Sequence, residues 1–497
     1  MTTANEIKIQ TFKNCIGGEW ISRASSPLYE RRNPSDRDDI IGLVPAGSPD
    51  EVDAAVNAAA AVVRAWSVTP APERGDLLLS AARLLADRST MFARIITREQ
   101  GKTCLEAEGE VKFAVAILEY MAAEGRRLSG QCLPSGERDR FIYTMRQPVG
   151  IVGLITPWNF PLAVPLWKIG PALVCGNTVV WKASRLTPLT SAAIMELLTD
   201  AGMPAGLVNL VNGAGAIAGT ALTEHPAVRA ISFTASHQVA QLINARASKH
   251  FKKVQCEAAG KNAAIVLEDA DLDWTAECIV NGAFGYAGQR CTATGRVVVV
   301  ERVANRLLDR IIDRARLIKT GNAKHPDVTM GPVCDEKQLM RVLTLIEAGK
   351  REGVVKWGGR RLEGPEYDRG LFIEPTVIDR VSPSAIVAQE EVFGPVLPVI
   401  RTKNDDEAID VANASSYGMT CAVFSCDPDR LSGAAEQLAC GTVHLNCPTI
   451  GAEVHAPFGG IKNSGLGDRE MGCEASKFYS ELKVVYMNRR PRPKSTN

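Results

Sequence analysis

From Val149 to Ser236 the chain repeats one rhythm, a short β-branched run followed by a stretch with turn or helical spacing. The runs are VGIVGLIT, NTVVWKAS, LVNLVNG and AISFTAS, and TPLTSAAIMELLTDAGMP lies between the second and third. Such alternation predicts βαβ units and a parallel sheet, because a parallel pairing needs a crossover long enough to hold a helix. A second series begins after Cys291 with GRVVVVERVANRLLDRIIDRARLI and continues through AIDVANASSYGMTCAVFSC. The expectation is an α/β protein with two parallel-sheet domains. At 497 residues the chain also exceeds what one hydrophobic core usually serves.

The first third reads as helical. SPDEVDAAVNAAAAVVRAW opens with a capping box at Ser48 and Glu51 and a proline in the first turn. Val52, Val56, Ala59, Val63 and Trp66 then follow helical spacing. Residues 130–150, GQCLPSGERDRFIYTMRQPVG, break that pattern and end in strand-like alternation, an extended excursion between two elements. Two tempting motifs fail. QGKTC (100–104) resembles half a phosphate-binding loop, but its first glycine would fall at Ile96. GAGAIAG (213–219) is one residue too long for the dinucleotide fingerprint.

Composition narrows the function classes. With 57 basic and 56 acidic residues, no electrostatic footprint for nucleic acid or an anionic membrane exists. The 13 cysteines form no C-x-x-C pair and the six histidines no H-x-x-x-H, so neither a disulfide framework nor a metal site is expected. No apolar run suits a signal peptide or a membrane span, and the chain reads as cytoplasmic.

Three stretches together carry chemistry. In AFGYAGQRCTATG, Cys291 sits among small polar residues and directly after Arg290, a neighbour that favours the nucleophilic thiolate. TPWNFP (156–161) is either a rigid turn with a buried aromatic residue or a fixed mount for the Asn159 amide, a donor for a developing oxyanion. In QCEAAGKN (255–262), Glu257 is either paired for structure or poised as a base with a raised pKa. A nucleophile, an oxyanion donor and a base are the parts of acyl-enzyme chemistry.

These stretches also carry a resemblance. ITPWNFP, WKAS, AISFTAS, CEAAGKN, GQRCT, EEVFGPV and PFGGIKNSGLG follow one another in the order found in the aldehyde dehydrogenase superfamily. The chain resembles that family from IGGEW (16–20) to FYSELKVVY (478–486). The resemblance implies a Rossmann-like cofactor domain over 1–129 and 148–258 and an α/β catalytic domain over 259–465. It also implies a small β oligomerisation element over 130–147 and 478–490. Such a cofactor domain lacks the usual glycine fingerprint.

The resemblance further implies an NAD or NADP cofactor and a mechanism. Cys291 attacks the aldehyde, Asn159 and the Cys291 N–H hold the oxyanion, and Glu257 activates water to hydrolyse the thioester. Lys168 matches a lysine that tunes these groups, and Glu470 a carboxylate that assists proton movement, with Asp468 as an extra residue nearby. Thr156, Pro157, Trp158, Lys182, Ser184 and Arg185 match cofactor contacts. So do Gly215, Phe233, Ser236 and Val239, while Glu391 and Phe393 match the pair that positions the nicotinamide end. Alanines at Ala235, Ala240, Ala258 and Ala259 replace bulkier or smaller family residues, and added methyl groups are expected to narrow the cofactor's space.

Among branches, the motifs look most like 2-oxoglutarate semialdehyde dehydrogenases. The succinate semialdehyde branch carries arginines where this chain has Trp167 and Gly285. Phe160, Trp167 and Phe458 would line an aromatic substrate tunnel, which also suits aromatic aldehydes such as vanillin. Arg290 and Thr292 complete the expected substrate contacts. A CoA-acylating relative and a non-catalytic one are the weaker alternatives. The family assembles as homodimers or homotetramers, with ELKVVY expected to add to a partner's sheet edge.

Overall fold

The computed structural model describes residues 10–22 and 27–489; the expected segment ends at residues 1 and 490 lie outside them. Two large sheets organise the chain. The first has eight strands in the order Glu19–Ile21, Asn14–Ile16, Val208–Val211, Thr178–Lys182, Ile151–Ile155, Val228–Thr234, Lys253–Glu257 and Gly465–Leu466. The five from Val208–Val211 to Lys253–Glu257 are mutually parallel. Ile151–Ile155 and Thr178–Lys182 are buried throughout, as strands covered on both faces must be, which is why they read as continuous apolar runs.

The chain builds this sheet outward from Ile151–Ile155 through Thr178–Lys182 to Val208–Val211. It then returns to the other side of the first strand with Val228–Thr234. The reversal leaves a crevice beyond the carboxyl ends of the strands, where open α/β sheets take ligands.

The second sheet runs Val354–Trp357, Thr376–Asp379, Val396–Thr402, Thr294–Val300, Asn262–Val266, Thr420–Phe424 and Thr442–Leu445. All its pairings are parallel except the first. Residues 258–261 carry the chain from the last parallel strand of one sheet to a central strand of the other. Gly465–Leu466 later returns and pairs antiparallel with Lys253–Glu257.

One expectation needs correction. The helical first third is preceded by four strands, of which Leu28–Asn33 pairs with Asp36–Pro45 and Asn14–Ile16 with Glu19–Ile21. These are edge and hairpin strands with mixed exposure, so they lack the apolar signature of a buried strand. The C-terminal strand Ser480–Asn488 pairs over nine residues with Arg140–Pro148 of its own chain. Cys132–Leu133 takes the other side of Arg140–Pro148, which leaves Ser480–Asn488 as an edge with Leu482, Val484 and Tyr486 exposed. No helix among the described residues is long and apolar enough to cross a membrane.

Candidate active site

Because the five strands are parallel, the loops after them share one edge. Thr156 to Phe160 follow Ile151–Ile155; Lys182 ends its strand, and Ser184 and Arg185 follow it. Gly215 follows Val208–Val211, Phe233 lies in Val228–Thr234 with Ser236 just beyond, and Glu257 ends Lys253–Glu257. The sheet order thus brings residues separated by about a hundred positions onto one rim.

Cys291 reaches this rim from the second sheet, in a loop held by strained backbone. Tyr286, Ala287 and Gly288 all have left-handed φ, at 57°, 51° and 68°. A Cβ on Gly288 would stand 2.3 Å from the Gly394 carbonyl oxygen, so only glycine fits there. The Gln289 amide donates to Tyr286 O at 3.2 Å and Pro332 O at 3.3 Å, and accepts from Cys334 N at 2.9 Å. Asn262 Nδ2 donates to Cys291 O at 2.7 Å, and the Thr449 hydroxyl to Thr292 O at 2.7 Å. Asn159 Nδ2 donates to Gln289 O at 3.1 Å, which sets the amide beside the Cys291 loop.

The thiol's electrostatics run against the expectation from Arg290. Burial pushes the Cys291 pKa up, and the carboxylates of Glu257, Glu391 and Glu470 push it further, while its own N–H opposes them. Arg290 does not offset this, because its guanidinium lies on the Tyr286 ring, 3.5 Å from the centroid.

Glu257 is 1% exposed and its Oε1 has no hydrogen-bond partner. Its pKa stands well above the usual carboxylate range, first through burial and then through Glu470, against the pull of Lys168 and Arg469. Lys168 Nζ is bonded to Glu470 Oε1 and donates to the Ser232 hydroxyl at 3.0 Å. Glu470 Oε2 has no partner. The extra Asp468 turns outward to Lys253, 3.6 Å away, and leaves Glu470 in the centre.

Aromatic side chains stand next to these groups. Trp167 and Phe458 are buried with centroids 5.6 Å apart, and Trp167 Nε1 has no acceptor. Phe160 stacks on Tyr286 at 5.3 Å. Tyr286, Gln289, Ser232 and Thr449 escape sequence reasoning because each acts through partners far away along the chain.

At the cofactor rim, Trp158 meets Phe393 edge-on at 5.5 Å, with Phe393 at φ 55°. Glu391 Oε1 accepts from Gly260 N at 2.8 Å, and burial raises its pKa to about 7. Lys182 is 7% exposed; burial, then Arg185, lowers its pKa to about 8. The Ser184 hydroxyl accepts from Leu186 N at 3.2 Å, and Arg185 is exposed with its guanidinium 4.9 Å from the Tyr29 ring centroid. Gly215 and Val239 are open to solvent.

The four alanines lie within or against packed regions of the protein. Ala240 and Ala258 belong to the apolar core with Ile155 and Phe233, and Ala235 packs against that core. Ala259 is buried, with its carbonyl accepting from the Ser464 hydroxyl at 2.7 Å.

This arrangement fits a dinucleotide. Among the described residues Lys182 Nζ bonds to no protein group, one Glu391 oxygen is uncommitted, and a Cβ on Gly215 would meet nothing within 4 Å. The sequence matches the aldehyde dehydrogenase family model over residues 20–485. The chain belongs to the aldehyde dehydrogenase family.

It is 40% identical to the alpha-ketoglutaric semialdehyde dehydrogenase of Bacillus subtilis (strain 168), over 96% of this chain and 98% of that one. The solved structure of an E. coli NADP dependent enzyme superposes with a TM-score of 0.92 at 34% identity, covering 96% and 98% of the two chains. Betaine aldehyde dehydrogenase from Staphylococcus aureus, solved with NAD+, gives 0.93 at 33% identity, covering 98% and 96%. Like its family, this dehydrogenase oxidises an aldehyde.

Proposed function

We propose that this dehydrogenase oxidises an acidic semialdehyde, such as 2-oxoglutarate semialdehyde, to the carboxylic acid with NAD or NADP. The observation that carries the substrate class is Arg290. It directly precedes the nucleophile, its Nε is buried without a partner, and it pairs with no carboxylate among the described residues. A cation without an anion beside the reacting centre suits a substrate carboxylate. The name of the B. subtilis relative agrees.

Each residue's role follows from its surroundings. Cys291 Sγ adds to the aldehyde carbon, and the new oxyanion takes hydrogen bonds from Asn159 Nδ2 and the Cys291 N–H. Burial, and then the surrounding carboxylates, hold the resting thiol protonated. Attack therefore requires that proton to leave, and the unpartnered Glu257 Oε1 is the acceptor at hand. Trp158, Lys182, Ser184, Arg185, Glu391 and Phe393 hold the dinucleotide, with Gly215, Phe233, Ser236 and Val239 along the rim. When bound, the dinucleotide supplies the acceptor for the aldehyde's hydride. Once Glu257 has released the thiol's proton, it takes a second proton from the attacking water, and the thioester's C–S bond breaks to give the carboxylic acid and free Cys291. Lys168 and Glu470 offer a buried proton path to Glu257. A buried base with a free oxygen supports hydrolysis over transfer to coenzyme A.

The packing of Trp167 on Phe458 and of Phe160 on Tyr286 favours aromatic aldehydes as a second reading. The cofactor domain comprises 1–129 and 148–258, and the catalytic domain 259–465. The oligomerisation element, 130–147 and 478–490, joins two or four copies of the chain, supported by the exposed apolar edge at Leu482, Val484 and Tyr486.

A ranking of aldehydes by kcat/KM tests the function, with NAD+ and NADP+ and with and without CoA. Acidic semialdehydes should outrank neutral aldehydes of equal length. Neutral or aromatic aldehydes at the head of the ranking would remove the acidic reading.

A further inference from the structure

QGKTC fails as a phosphate loop, yet the fold sets its lysine directly behind the oxyanion donor. The side chains of Lys102 and Glu110 are both wholly buried, with Nζ 2.5 Å from Glu110 Oε2. Lys102 Nζ also donates to the main-chain carbonyl of Asn159 at 2.8 Å. Glu110 Oε1 accepts from Leu162 N at 2.9 Å and Ala163 N at 3.0 Å. The ion pair thus grips the chain on both sides of Phe160, at the Asn159 carbonyl and again at the start of the helix Ala163–Val174.

The same helix end reaches the nucleophile's loop. Thr103 and Glu106 form a capping box at the start of Cys104–Glu124. Glu106 Oε1 accepts from Tyr286 N at 2.6 Å, and the Glu106 carbonyl from the Tyr286 hydroxyl at 2.9 Å. Lys102 Nζ lies 4.3 Å from the Phe160 ring centroid and 4.6 Å from that of Tyr286. One helix start therefore ties together the loop that carries Asn159 and the loop that carries Cys291.

A buried ion pair is a poor stabiliser, because desolvation of both charges offsets their attraction and an apolar pair often does as well. Directional bonds are what an apolar pair cannot supply. We infer that Lys102 and Glu110 are positioning residues that fix the Asn159 main chain so that its amide meets the oxyanion on Cys291. The inference rests on the reading of Asn159 as oxyanion donor. Neither residue touches substrate.

The test is a double-mutant cycle on the pre-steady-state burst of NAD(P)H. The paired change Lys102→Met with Glu110→Gln leaves no lone buried charge and keeps an acceptor for Leu162 and Ala163. It should slow the burst by about 10- to 100-fold, the scale of a misplaced reacting group, with KM for the aldehyde nearly unchanged. In an Asn159→Ala background the same change should add almost nothing. Alkylation of Cys291 by iodoacetamide, which needs no oxyanion donor, should keep its rate. Should the paired variant not fold, Lys102→Met alone runs the same cycle, with Glu110 still bonded to the Leu162 and Ala163 N–H groups and able to take up a proton. An equal loss in both backgrounds, or an equal loss in alkylation, would overturn the positioning role. Asn159→Ala with an undiminished burst would instead overturn the oxyanion reading, and the inference with it.

Discussion

Around Cys291 the charged groups are withdrawn from water, whereas at the far end of the rim Arg185 stands in solvent on the ring of Tyr29. Glu257, Lys168 and Glu470 are 1%, 1% and 4% exposed. The same side-chain types therefore act at different strengths. A unit charge in a dry centre has no solvent to screen it, while an exposed pair contributes roughly 0–1 kcal/mol. The contrast teaches that effects in this protein should scale with burial and not with charge count, and variants can be ordered on that basis.

The nucleophile comes first. Cys291→Ala should reduce turnover to background while dinucleotide binding, read by fluorescence or calorimetry, persists. The other described cysteines should tolerate replacement, with Cys256 the most sensitive because it adjoins Glu257. Activity within about tenfold of wild type after Cys291→Ala would place the chemistry elsewhere.

Glu257 comes next. General-base assistance is worth ~10²–10⁴-fold, and Glu257→Gln should lose that much in the hydrolytic step. The expected trace is a burst near one equivalent per working site followed by a slow phase. Since burial and Glu470 hold the Glu257 pKa above the usual range, the base is charged only above that raised value. Hydrolysis-limited turnover should accordingly fall as pH drops through it, and Glu257→Gln should flatten that limb. A slow reaction without a burst would move Glu257 to an earlier step.

Arg290 lies between the two regimes, partly buried and stacked on Tyr286. A charge-assisted hydrogen bond is worth ~1.5–3 kcal/mol, so Arg290→Ala should cost a carboxylate-bearing semialdehyde roughly 10- to 100-fold in kcat/KM. A neutral aldehyde of equal length should lose little. Equal losses would mean that Arg290 only packs the loop.

The same contrast explains what the sequence could reveal. Four of the five parallel strands were readable because strands buried on both faces are largely apolar, as in Ile151–Ile155. The hairpin of Leu28–Asn33 and Asp36–Pro45 was not, because strands of mixed exposure carry no such run. Cys291, Asn159 and Glu257 stood out by residue type against small or apolar neighbours. Lys102 did not, since its meaning lies in Asn159, 57 positions away. Adjacency also misled: Arg290 precedes Cys291 in sequence, yet its guanidinium lies on an aromatic ring, while burial and then distant carboxylates raise the thiol's pKa.

The smallest effect belongs to the exposed end. Arg185 shares a surface pocket with Tyr29, Glu30, Arg32 and Arg37, next to Glu336 and Lys337. Glu30 pairs with Arg32, Glu336 pairs with Arg37, and Asp335 accepts from Gln338 N at 2.8 Å, so none of the pocket's acids pairs with Arg185 among the described residues. Ser184 is the next residue and Lys182 lies three residues back on the same rim. No acid there rejects a 2′-phosphate, and Arg185 can leave the Tyr29 ring to pair with it. NADP+ should therefore serve at least as well as NAD+. Arg185→Glu should shift the ratio of kcat/KM values toward NAD+ by about tenfold, a single charge-assisted bond reduced by solvent. Because the pair is exposed, raising the salt concentration should narrow the wild-type preference, whereas the Cys291 and Glu257 effects should hardly change. A wild-type enzyme that already prefers NAD+ strongly, or an Arg185→Glu shift that ignores salt, would show that the exposed end is governed by shape and not by charge.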